Sequence, residues 1–109
     1  MSELEKLQHA YRASMPAKKA ALRQAFDALC DEEADVALAT QLHLLLHRLA
    51  GSAGSYGHDG LGQQARTLAH VWRDWLEQPV ETRAPAWQVC AQQTVPFAEL
   101  LEAMQALVD

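Results

Sequence analysis

Leu42-His43-Leu44-Leu45-Leu46-His47-Arg48-Leu49-Ala50-Gly51-Ser52-Ala53-Gly54-Ser55-Tyr56-Gly57 is the stretch from which the rest of the chain can be read. At about 100° per residue, Leu38, Leu42, Leu45, Leu49, Ala53 and Tyr56 gather on one side of a helix, the expected core face. His47 falls roughly 160° from the centre of that stripe, on the wet side. Its outer-face neighbours at i+3, i+4 and i+7 are Ala50, Gly51 and Gly54, where a solvated helix would carry Lys, Glu or Gln. Each interior glycine costs about 1 kcal/mol relative to alanine, so something other than helix stability favours them. Missing side chains let another surface, or a bulky group on His47, approach the backbone. Leu44 adds an exposed apolar contact on that broad face, and Arg48 a nearby cation at its edge.

Outward from this segment the same periodicity recurs. Leu4, Leu7 and Tyr11 mark a short first helix, which breaks at Ser14-Met15-Pro16. A second helix over about 16 to 30 carries Leu22, Phe26 and Leu29, and the acidic Asp31-Glu32-Glu33 reads as a linker into a third over roughly 34 to 55. After the turn at Tyr56-Gly57-His58, Asp59 is the candidate N-cap of a helix over about 60 to 77, striped by Leu61, Ala65, Leu68, Trp72 and Leu76. The last helix, roughly 84 to 107, presents Leu100, Leu101, Met104 and Leu107, with Pro96 expected to kink or divide it. No alternating β-branched run is present. The expected fold is all-α, an antiparallel four-helix bundle with a short additional N-terminal helix, formed by residues 1–109 as one domain.

Composition narrows the function classes. With 109 residues there is room for one core. Nine Lys and Arg against 14 Asp and Glu give a net charge of -5, which offers no general attraction to nucleic acid. Cys30 and Cys90 form no CxxC pair and read as core thiols. No apolar run approaches the roughly 20 residues needed to span a bilayer, and the start Met1-Ser2-Glu3-Leu4-Glu5-Lys6 lacks the features of a signal peptide. The expected location is the cytoplasm, with no membrane partner and no oligomer indicated.

The segment around His47 resembles the histidine-containing phosphotransfer (HPt) domains of bacterial phosphorelays. The resemblance rests on His47-Arg48-Leu49-Ala50-Gly51-Ser52-Ala53, continuing to Gly54 and Gly57, then Leu61 on the next helix. It implies that His47 accepts a phosphoryl group from a receiver domain's aspartyl phosphate and hands it to another receiver, as a phosphocarrier with no ATP-dependent kinase activity of its own. An imidazole suits that role, because with an ordinary pKa near 6.5 a useful fraction is neutral and nucleophilic at cellular pH. The implied partners are response-regulator receivers, with a hybrid sensor kinase a further candidate. Mg²⁺ is expected on the receiver, and no cofactor on this chain. Gly51 would leave room for the phosphoimidazole and Arg48 would supply positive charge. His43, Leu44, Ala50, Gly54 and Ser55 form the expected docking face. Position 50 is Ala where many members have Lys, which leaves Arg48 the one cation adjacent in sequence. Some members place Gln or Arg on the following helix beside the histidine; here Ala69 stands where Gln would be expected, and Arg66 and His70 are the candidates.

Other readings of the same residues are blander. A solvated surface histidine is common, but the Gly and Ala surroundings argue against it for His47. His43 and His47 have the i, i+4 spacing of a shared metal, but no Asp or Glu lies between Asp35 and Asp59, so no metal site is expected. The glycines from Gly51 to Gly62 lack a following Gly-Lys-Ser/Thr and a preceding strand, which disfavours a nucleotide loop. Trp72, Trp75 and Trp87 are expected in the core rather than in an aromatic box, and His9, His58 and His70 on the surface. The alternative function is a non-catalytic helical adaptor that docks a receiver or another signalling protein without being phosphorylated.

Overall fold

A computed structural model describes residues 2–31 and 36–108. Five helices follow one another: α1 (Glu3–Ala13), α2 (Met15–Leu29), α3 (Val36–Ser55), α4 (Asp59–Glu77) and α5 (Ala86–Ala106). Helices α2 to α5 form a ring in which α3 packs most extensively on α4 and the circuit closes where α2 meets α5. The expected linker residues Glu32 and Glu33, and the expected start of α3 at 34, lie outside the described residues.

The break at Ser14 is slight, because its backbone stays near helical values (φ -80°, ψ -12°) and α1 continues into α2 as one bent rod. This extends the molecule to 54 × 21 × 21 Å. Leu4 and Leu7 are exposed, whereas Tyr11 ties α1 to the end of α3. Its ring stacks on Tyr56 at 4.3 Å, its hydroxyl shares a 2.8 Å hydrogen bond with Ser52, and Gln8 donates to the Tyr56 carbonyl at 3.0 Å.

The core between the four long helices is filled by Met15, Leu22 and Leu29 of α2, Leu42 and Leu46 of α3, Trp72 of α4, and Phe97, Leu100 and Met104 of α5. Phe26 and Phe97 stack at 4.1 Å across the α2–α5 contact. Gln93, a polar residue in this interior, accepts from Trp72 Nε1 at 2.7 Å and donates to the Leu68 carbonyl at 3.4 Å, so its amide is not left unsatisfied. Trp75 is buried too, but Trp87 is 50% exposed, contrary to the expectation that all three tryptophans pack inside.

Pro96 does not divide α5, which runs unbroken from Ala86 to Ala106. The proline removes one helical donor, but Gln92 and Pro96 lie on the exposed face, where water can take up the freed carbonyl. The turn between α3 and α4 ends α3 firmly: Gly57 adopts φ +83°, the Gly57 amide donates to the Gly54 carbonyl at 3.1 Å, and the His58 amide to the Ala53 carbonyl at 2.8 Å. Asp59 is therefore the first residue of α4 and places its charge at the positive helix end, while the N-cap position belongs to His58.

The buried arc of α3 differs from the expected stripe. Ala39, Leu42, Leu46, Leu49, Ala50 and Ala53 are buried, whereas Leu38, Leu45 and Tyr56 are only half-buried. The helix is thus turned by about 60° toward α4. The cause is the small-residue seam between the two helices, Ala50 and Ala53 against Gly62, Ala65 and Ala69, which lets their backbones approach.

Candidate functional site

Turning α3 toward α4 moves His47 from the far side of the helix to the rim of a groove between the two. The groove has a volume of about 250 Å³. Its α3 wall is His43, His47 and Gly51, its α4 wall is Arg66, His70 and Arg73, and buried Ala50 and Ala69 form the floor. A larger cavity of about 600 Å³ lies between α2 and α5 on the other side of the bundle, bordered by Lys19, Arg23 and Glu102, and contains no histidine.

His47 is exposed and His43 half-buried, with their rings 6.0 Å apart and inclined by 20°. Nothing lies within 4 Å of where a Cβ would project from Gly51 or Gly54. The fold therefore does not require glycine at either position, and their effect is to keep the surface beside His47 low. Ser55, beyond them, donates its hydroxyl to the Gly51 carbonyl at 3.1 Å.

The electrostatics of the groove oppose those of the whole chain. Among the described residues, two arginines and three imidazoles line it and no carboxylate does, although the net charge is -5. Arg66 hydrogen-bonds Gln63 on its own helix, and Arg73 pairs with Asp74 at 3.7 Å, an exposed contact worth little. The cationic field has a visible consequence at His43. Burial first, then the neighbouring His47, Arg73 and His70, hold its pKa below the ordinary imidazole value. Among the described residues, no group of three or more His, Cys, Asp or Glu is arranged to hold a metal ion.

The chain matches a known family over nearly its whole length: the family model of the Hpt domain covers residues 6–109. The chain belongs to the Hpt domain family. Membership places it among the histidine phosphotransfer modules of phosphorelays, which carry phosphoryl groups rather than act as kinases and which interact with two-component receiver domains. Comparisons with curated proteins and with solved structures gave no match.

In this Hpt domain, the site residues expected from sequence divide between two flanks of α3. His43, His47, Gly51, Arg66 and His70 meet in the one groove. Leu44, Gly54 and Ser55 lie exposed on the outer surface of α3 beside it. Two expectations are corrected. Arg48 does not face the groove: one residue past His47 the helix has turned about 100°, and its side chain borders an apolar crevice against α2 with Lys18, Leu45 and Ser52. Ala50 is not an outer-face residue, being only 4% exposed in the α3–α4 seam, so it shapes the groove floor instead of a docking surface.

Arg73 was missed by sequence reasoning. The available signal was its spacing, since Arg66, His70 and Arg73 stand at i, i+4 and i+7 on one face of α4. His58 was also misjudged as a surface residue: its Nε2 is buried without a partner and its ring lies 5.8 Å from Tyr11. That cluster sits at the α1–α3 corner and contributes no side chain to the groove.

Proposed function

We propose that His47 is the phosphoacceptor of this Hpt domain, taking a phosphoryl group from the aspartyl phosphate of one receiver and delivering it to the aspartate of a second. The observation that carries this reading is the exposed imidazole next to Gly51 and Gly54, whose missing side chains leave open space on its docking side. In the forward step the lone pair of a neutral ring nitrogen forms an N–P bond as the aspartyl P–O bond breaks, and the bonding electrons leave with the carboxylate. Transfer of this kind needs in-line positioning and neutralisation of the oxygens more than it needs a base.

The low surface beside His47 admits the receiver's acidic pocket and its Mg²⁺, so the chain supplies no cofactor of its own. Arg66 and Arg73 supply positive charge from α4, the role that sequence alone gave to Arg48. Leu44, 42% exposed, offers an apolar docking contact. The protein acts in the cytoplasm, as a monomer, between receivers. No described helix is long and apolar enough to cross a membrane.

Onward transfer is the test of the complete cycle. Labelled phosphoprotein, freed from the first receiver and mixed with a second, is expected to lose its label as the second gains it. Binding of charged receivers without any transfer would instead support the adaptor.

A further inference from the structure

Resting on that reading of His47, we infer that His43 and Arg73 form the subsite for the oxygens of the phosphoryl group, and that His43 takes up a proton when His47 is phosphorylated. The two imidazoles project from successive turns of α3 into the same groove, 6.0 Å apart and nearly parallel. Among the described residues neither ring has a hydrogen-bond partner, so the ring nitrogens of His43 are open to an acceptor placed beside His47. Arg73 borders the same space from α4, and its exposed 3.7 Å contact with Asp74 is too weak to hold it away from a stronger anion.

The charged and titratable groups facing His43 are His47 on its own helix and Arg66, His70 and Arg73 on α4. Burial first, and then neighbours that include no carboxylate among the described residues, disfavour a proton on His43 while His47 is bare, in keeping with the lowered pKa. A phosphoryl group carrying close to two negative charges reverses that field. The two rings are 6.0 Å apart, and two negative charges at about that distance raise an imidazole midpoint by about 1 pH unit even at the dielectric constant of water. Protonated His43 then donates a hydrogen bond to a phosphoryl oxygen.

The functional consequence follows by linkage. If the phosphorylated form binds an extra proton, lowering the pH favours it, between the midpoints of His43 in the two forms. The His43 proton thus contributes a term that favours the phosphorylated form of this domain as the pH falls through that window. His43 is a positioning residue and a pH sensor in this account, distinct from the nucleophile.

Phosphoramidate, a small donor that phosphorylates imidazole and releases ammonia, loads the intact chain without any receiver. Imidazole nitrogen NMR titrations of the bare and loaded protein are expected to show the His43 midpoint rising by about 1 pH unit or more on loading. Arg73→Gln is expected to raise the midpoint in the bare protein, and to hasten hydrolysis of the loaded protein several-fold. His43→Gln is expected to remove from the acid-promoted hydrolysis the inflection that falls at the His43 midpoint. An unchanged His43 midpoint in the loaded protein, or a pH profile untouched by His43→Gln, would overturn the inference and leave the transfer function standing. Normal loading and titration without transfer from any charged receiver would overturn the transfer function and leave the subsite standing. Failure of phosphoramidate to label His47, tested against His47→Gln, would overturn both.

Discussion

Gly51 and Gly62 lie on facing helices near the same seam, and they are glycine for opposite reasons. At Gly62 a Cβ would come within 3.2 Å of the Ala50 carbonyl oxygen, so the close approach of α3 and α4 crowds any side chain there. At Gly51 a Cβ would meet nothing within 4 Å, and the helix would be more stable with alanine there. One glycine serves packing, and the other leaves the surface beside His47 low. The lesson is that a helix-interior glycine points to function only when the space around it is empty.

Gly62 is the more sensitive of the two positions to a side chain. Gly62→Leu is expected to lower stability by about 3 kcal/mol, read as a shift of the urea midpoint, because the obstacle is backbone rather than a flexible side-chain tip. Unchanged stability would mean that the seam is looser than 3.2 Å implies. Gly51→Leu is expected to do the reverse, leaving the fold intact or up to about 1 kcal/mol more stable. It should slow transfer from a charged receiver by about 100-fold, since a side chain beside His47 displaces the in-line geometry. Normal transfer in this variant would remove the functional account of the open glycines.

Leu44 and Leu46 extend the contrast along α3, at 42% and 0% exposed. Leu46→Asp is expected to unfold the bundle, whereas Leu44→Asp should change stability by no more than about 0.5 kcal/mol while weakening receiver binding. Melting curves and titration with a receiver separate the two effects, and an unfolded Leu44→Asp would contradict the helix register. The smallest effect is electrostatic. Because burial and its positive neighbours depress the pKa of His43 in the folded state, the unfolded chain takes up that proton more readily. Its contribution to stability is complete above the ordinary value of 6.5 and declines as pH falls below it toward the lowered native midpoint. His43→Gln is expected to flatten the stability profile in that acid window and nowhere else.

The helices were legible in the sequence because their apolar residues recur at helical spacing and because Gly57, Pro16 and the Gly51–Gly62 cluster punctuate them. The rotation of α3 was not legible. Leucines at 38, 42, 44, 45, 46 and 49 put apolar groups on most of its circumference, and periodicity alone does not distinguish arcs about 60° apart. The deciding feature is in another helix, where Gly62, Ala65 and Ala69 draw α3 toward α4. The same rotation explains the corrections at the site. It carries Ala50 inward, leaves Arg48 against α2, and sets His47 opposite the α4 face of Arg66, His70 and Arg73. His47 was legible because its local surroundings, Gly51 and Gly54, are written within two turns of the same helix.

Phosphorylation of His47 is tested most directly by transfer from acetyl-phosphate-charged, radiolabelled receivers followed by mapping of the label. The expected result is an acid-labile, base-stable label confined to the peptide containing His47 and absent from the His47→Gln variant. Label that persists in His47→Gln, or its absence from the wild type while a charged receiver binds, would contradict His47 as the phosphoacceptor.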